Sequence, residues 1–195
     1  MTETLTRIGM SLEDFINKFD EEGPFEILDG EIVPKMPNVF GHTEAANNIA
    51  LFINIYALPK KLGKAYVEGT VIKPDSFDRN WVKGSRIPDV LYVSQERLND
   101  YKDANPDWEN RPLALIPDLV IEVVSPTDSY TEINQRVKRY LNDSVRLVWV
   151  MDPQERTIVI YVPNSDQQTT LSGEAKLTGG EVVPGFEVAL TEIFA

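Results

Sequence analysis

The chain has 195 residues and a net charge of −12, with 42% hydrophobic and 26% charged residues. Those proportions are ordinary for a globular protein, and the length suits one domain, which at this size buries roughly 70% of its unfolded surface. No apolar run approaches the ~20 residues needed to cross a bilayer, and a chain without cysteine has no disulfide framework, no thiolate nucleophile and no Cys-based zinc site. Met1–Met10 lacks the apolar core of a signal peptide, so a cytoplasmic protein is expected.

Ser11-Leu-Glu-Asp14 reads as a helix N-cap with an acid at the third helical position. Leu12, Phe15, Ile16 and Phe19 then form one apolar stripe, which predicts a short amphipathic helix. Phe25–Leu28 and Glu31–Lys35 flank Asp29-Gly30, a hairpin signal. A second helix is predicted from about Gly41 to Leu58, with Ala46, Ile49, Ala50, Ile53 and Ala57 on one face; Pro59 and Gly63 end it. Ala65–Lys73 reads as a strand, Pro74–Ser85 as a polar loop and Ile87–Val93 as another strand. Gln95–Pro117, broken by Pro106, Pro112 and Pro117, reads mostly as loop, and its length suggests a function or an interface. Leu119–Val124 is apolar on both faces except at Glu122, the pattern of a buried central strand. Asp128–Asn142 is helical, with Ile133, Val137, Tyr140 and Leu141 on one stripe, and Val145–Met151 is a further strand. Asp152-Pro153 turns the chain into Thr157–Val162, and short strands follow to Phe194.

This order predicts an α/β fold, a mixed β-sheet flanked by helices with extra β-hairpins. Leu119–Met151 has the length and order of a βαβ unit, so its two strands are expected to be parallel. A single domain is expected over 1–195, with a core at about 11–162 and a β-rich extension over 163–195.

Two acids interrupt apolar strands. Glu122 lies within Leu-Val-Ile-Glu-Val-Val, where a carboxylate is costly to bury unless it is paired or ligates a metal. Asp89 follows Pro88 and opens an apolar strand, as a turn acid or as a site residue. Carboxylates from neighbouring strands would form an oxygen-rich site of the kind that Mg²⁺ or Mn²⁺ prefers; acid pairs also serve glycosidases without metal, but the aromatic platform expected beside them is missing here. Asp118 shares the face of Glu122, but four residues at ~3.3 Å each set it too far away to share an ion; it is expected to cap the strand start.

The net charge argues against a nucleic-acid partner, but its distribution is uneven. Residues 1–31 hold nine acids against Arg7 and Lys18. Residues 60–86 hold Lys60, Lys61, Lys64, Lys73, Arg79, Lys83 and Arg86 against Glu68, Asp75 and Asp78, seven against three for a balance of +4, with Tyr66, Phe77 and Trp81 interleaved. Such a stretch either tracks a nucleic-acid strand or is a solvated face.

Five pieces occur in order: Phe25-Glu-Ile-Leu-Asp-Gly-Glu-Ile, Gly41-His42, Arg86-Ile-Pro-Asp89-Val, Pro117-Asp-Leu-Val-Ile-Glu122-Val-Val-Ser-Pro126, and Val145-Arg-Leu-Val-Trp-Val-Met-Asp-Pro153. Together they resemble the Uma-type restriction endonuclease family of the PD-(D/E)XK nuclease superfamily, over roughly Ser11 to Val162. The resemblance implies a restriction-endonuclease-like core and Mg²⁺- or Mn²⁺-dependent cleavage of DNA. By position it makes Asp89 and Glu122 the metal-binding acids and Glu31 a further acid of the site. The superfamily's usual lysine, two residues after the second acid, is replaced by Val124. In the family it is moved to the following helix, four residues before a tyrosine; here that position is Arg136, before Tyr140. An arginine clamps a phosphate but is a poor general base. Arg136 lies nearer the apolar stripe than Lys138, which remains the fallback. His42, the one histidine, matches a family histidine and either contacts substrate, as Lys138 and Tyr140 could, or bonds to backbone at a helix start. Ser144 stands where the family often has glycine, a change of local turn. An active nuclease and a non-catalytic binding or regulatory module both remain open, and a homodimer is expected, with the Gln95–Pro117 loop as a candidate interface.

Overall fold

The computed structural model describes residues 7–165 and 167–195; the first six residues of the Met1–Met10 reading lie outside that range. In chain order the elements are β1 (Met10–Ser11), α1 (Leu12–Glu22), β2 (Phe25–Leu28), β3 (Glu31–Pro34), α2 (Phe40–Ala57), β4 (Gly63–Val67), β5 (Val71–Asp75), β6 (Asp78–Arg86), β7 (Val90–Ser94), α3 (Gln95–Ala104), β8 (Leu119–Val123), α4 (Tyr130–Asn142), β9 (Leu147–Asp152), β10 (Thr157–Tyr161), β11 (Thr169–Leu171), β12 (Lys176–Thr178), β13 (Glu187–Ala189) and α5 (Leu190–Ile193). They form two compact units: the chain up to Pro37 with Thr70–Ile87 and Asn110–Leu115, and Asn38–Gly69 with Pro88–Glu109 and Ile116–Ala195.

In the smaller unit, Ser11 caps α1 by accepting the Asp14 N–H at 3.0 Å, as its position before an apolar stripe predicts. Asp29 and Gly30 both take left-handed backbone, φ 53° and 91°, the geometry that joins β2 to β3 as a tight hairpin with Leu28 across from Glu31. The sheet runs β1-β6-β2-β3, with β5 also on β6. Its core is Phe15, Phe25, Ile27, Ile72 and Val82. The buried Ser85 is satisfied: its Oγ accepts the Ile27 N–H at 2.8 Å.

The larger unit holds the sheet β11-β10-β9-β8-β7-β4. β8 is buried at every position, antiparallel to β7 and parallel to β9, as the βαβ reading requires. Period-two alternation sorts its side chains. Leu119, Ile121 and Val123 join the core that includes Ala46, Ile49, Ala50 and Ile53 of α2, while Val120 joins Val137 and Tyr140 of α4. Glu122 shares the alternation of Val120, so it points to the α4 side. The C-terminal segment adds Leu177, Val183, Phe186 and Leu190 to the α2-side core.

Three segments depart from the sequence reading. The strand expected over Ala65–Lys73 is two strands, β4 and β5, in different sheets. Glu68 at φ 51° breaks the extended run before Gly69. The polar stretch Pro74–Ser85 contains most of β6, which pairs with β5 through an irregularity at Pro74. The segment after Gln95 begins with α3, which buries only Leu98 and Tyr101 and so leaves a faint apolar stripe.

Candidate active site

His42, Asp89, Glu122, Asp128, Arg136 and Tyr140 all belong to the larger unit. β7 and β8 pair with Val90 across from Ile121. The pairing ends at that step, and Asp89, in a bend just before β7, stands at the same end of it as Glu122, the residue after Ile121. Both are buried, with 2% and 5% of their surface exposed. Asp89 carries the ladder one step further with its side chain, since Oδ2 accepts the Val123 N–H at 2.8 Å.

Two side chains of α4 address Glu122. The Tyr140 hydroxyl donates to Oε1 at 2.7 Å, and Arg136 Nη1 donates to Oε2 at 3.4 Å. Their spacing of four residues puts both on one helix face. The other arm of Arg136 donates to Asp128 Oδ1 at 2.7 Å, and Asp128 Oδ2 in turn accepts the Ser125 N–H at 2.8 Å. Burial alone would lower the guanidinium pKa. The charges of Glu122, Asp128 and Asp89 outweigh it and hold Arg136 above the ordinary arginine value. Three carboxylates thus act on one permanent cation.

His42, in the first turn of α2, is 4% exposed and meets Asp89 Oδ2 through Nε2 at 3.0 Å. Its polar contact is therefore a carboxylate rather than the helix backbone. Lys138 is exposed on α4, whereas Arg136 is turned to Glu122. Glu31 is exposed at the start of β3 in the smaller unit. Asp118 is fully buried and structural: Oδ2 accepts the Ser94 N–H at 2.9 Å, and Oδ1 pairs with Arg97 at 2.8 Å and Arg146 at 3.4 Å.

Asp128, the first residue of the helix expected over Asp128–Asn142, stands before that helix in the structure. Ser129 is the true cap, accepting the Glu132 N–H and completing a capping box, so Asp128 stands outside the helix and aims its carboxylate at Arg136. The run Ser129-Tyr-Thr-Glu132 carried that signal. The basic stretch 60–86 is divided between the units: Lys60, Lys61, Lys64, Tyr66 and Glu68 lie in the larger, and its other charged and aromatic residues in the smaller. There Lys83 pairs with Asp75 at 3.1 Å and Arg7 lies over the Trp81 ring at 4.1 Å.

Among the described residues no group of three or more His, Cys, Asp and Glu side chains is spaced to hold a metal ion. Asp89 and Glu122 nevertheless suit Mg²⁺ or Mn²⁺. They offer hard oxygen donors, and Mg²⁺ usually takes one or two carboxylates while keeping several waters.

A family model described as "Putative restriction endonuclease" matches residues 12–191. The chain is similar to the crystal structure of a "putative nuclease belonging to DUF820" from Anabaena variabilis ATCC 29413. The TM-score is 0.74 and the identity 22%, covering 95% of this chain and 97% of that chain. At that identity the likeness speaks of fold, and the fold is the restriction-endonuclease-like α/β architecture. No curated protein matches the chain. Among the described residues no helix is long and apolar enough to cross a membrane.

Proposed function

The chain belongs to the Uma2 family, whose model spans residues 12–191, and from that premise we propose that it cleaves DNA phosphodiester bonds with Mg²⁺ or Mn²⁺ held by Asp89 and Glu122. The observation that carries the reading is a pair of buried carboxylates at one end of the β7–β8 pairing: Asp89 immediately precedes β7, Glu122 follows Ile121 in β8, and Asp89 Oδ2 accepts the N–H of Val123, the residue after Glu122. Two carboxylates buried at one end of the sheet repel each other, and a cation bound by both would offset that repulsion. When bound, the ion supplies a water of lowered pKa and stabilises charge developing on the phosphate.

The chain's own groups do the rest. Tyr140 and Arg136 each hold one oxygen of Glu122, which fixes the direction of that carboxylate. Arg136 remains cationic at any working pH, so it binds and stabilises phosphate charge and takes no proton. Asp128 holds its second arm. The exposed Lys138 is a contact for the DNA backbone. A homodimer would set one such site against each strand of a duplex.

The test is cleavage of duplex DNA with Mn²⁺ or Mg²⁺ against EDTA, alongside Asp89→Asn. Cleavage is expected only with the ion, and the substitution is expected to abolish it. Activity indifferent to both would remove the reading. Arg136 at the position of the family lysine favours a second reading, a non-catalytic module that binds no metal and whose stability changes little in Asp89→Asn. Calorimetry showing Mn²⁺ bound at micromolar affinity and lost in Asp89→Asn would exclude it.

A further inference from the structure

His42 spends its one described hydrogen bond on Asp89. We propose that it is a positioning residue that orients the Asp89 carboxylate for the divalent cation, an inference that rests on the endonuclease reading of the site. An ionised carboxylate only accepts, so with Asp89 ionised this bond calls for the tautomer that carries its proton on Nε2. The same oxygen, Oδ2, also accepts the Val123 N–H at 2.8 Å. One donor comes from a strand and the other from a helix. Turning the carboxylate about its own bond would break both, so the two together fix its plane.

Two observations separate this role from the alternatives. The ring is buried and its Nε2 is already on Asp89 Oδ2 at 3.0 Å, so a direct substrate contact through that nitrogen would break the bond to Asp89. The other ring nitrogen, Nδ1, is buried with no hydrogen-bond partner among the described residues. An apolar side chain would fill the same space without burying a polar atom unsatisfied. What the imidazole adds is the single N–H on Asp89. α2 brings it there by placing residue 42 in its first turn, where His42 caps nothing.

The experiment is Mn²⁺ titration calorimetry on the full chain, comparing wild type, His42→Gln and His42→Met, with circular dichroism to establish that each is folded. Gln and Met are nearly equal in size, but only the amide can donate to Asp89. His42→Met is expected to weaken Mn²⁺ binding roughly 10- to 100-fold, the range seen when a partner of a metal ligand is lost. His42→Gln is expected to stay within about threefold of wild type. A purely structural role would make Gln and Met alike. If His42→Met does not fold, the smaller His42→Ala takes its place. Equal affinity for Mn²⁺ in wild type and in the donor-less variant overturns this inference and leaves the endonuclease reading standing. A wild-type chain that takes up no Mn²⁺ overturns both.

Discussion

Glu122 shows what a buried carboxylate requires. It sits in a strand buried at every position, and both its oxygens are met from α4: Oε1 by the Tyr140 hydroxyl, Oε2 by Arg136. Hydrogen bonds to charged groups contribute about 1.5–3 kcal/mol, more than neutral ones, because the alternative is a desolvated charge. Tyr140→Phe keeps the ring in its packing against Val137 and Val148 and removes only the donor. It is therefore expected to lower stability by roughly 1.5–3 kcal/mol with an unchanged denaturant slope, as read from urea unfolding. A midpoint equal to wild type would show that the Tyr140 bond adds nothing to the hold on Glu122. Both acids were legible from sequence because each stands out against apolar neighbours at period two. The bond from His42 to Asp89 was not, since it spans 47 positions and depends on how α2 docks on the sheet.

At the scale of elements, α4 is the piece that sequence described best and also the one with a strained end. Its C-terminus closes as a Schellman motif, with the Val145 N–H on Tyr140 O at 3.0 Å and the Ser144 N–H on Leu141 O at 3.1 Å. That closure needs left-handed backbone at residue 144, and Ser144 has φ 74°. A side chain there costs roughly 1–2 kcal/mol, partly offset in a glycine variant by the larger entropy of its unfolded chain. Ser144→Gly is expected to gain about 0.5–1 kcal/mol, seen as a melting point higher by roughly 1–4 °C. Ser144→Val should lose stability, and a gain in both would mean the strain lies elsewhere. The elements that sequence misread fail for a related reason. α3 buries two residues of ten, and β6 places mostly polar side chains on its open face, so neither writes a hydrophobic period into the chain. The single strand expected across Ala65–Lys73 broke at Glu68, a residue whose type gives no warning of left-handed backbone.

For the whole molecule the two-unit construction decides where binding should register. Asp89, Glu122, Arg136, Asp128 and His42 all belong to the larger unit, which also carries the β8–β9 pair and the α2-side core. A ligand of the native state adds stability as the logarithm of its concentration over Kd, about 2.7 kcal/mol at one hundred times Kd. For a chain of this length that corresponds to roughly 5–11 °C in melting temperature. Mn²⁺ is therefore expected to raise the melting point by that amount, EDTA to reverse it, and Asp89→Asn to remove the response. If calorimetric scans resolve two transitions, only the one belonging to the larger unit should move, because two-state behaviour holds within a cooperative unit and not across separate ones. A shift confined to the other transition would place the ion on the smaller unit, where Asp75 and Asp78 are already paired with Lys83 and Arg7, and would count against Asp89 and Glu122 as its ligands. The net charge of −12 sharpens this test, since exposed acids also attract divalent ions loosely. That attraction fades within a Debye length of about 8 Å at 0.15 M salt, whereas ligation by a buried pair persists. A shift that survives added salt and disappears in Asp89→Asn is the signature of the buried site.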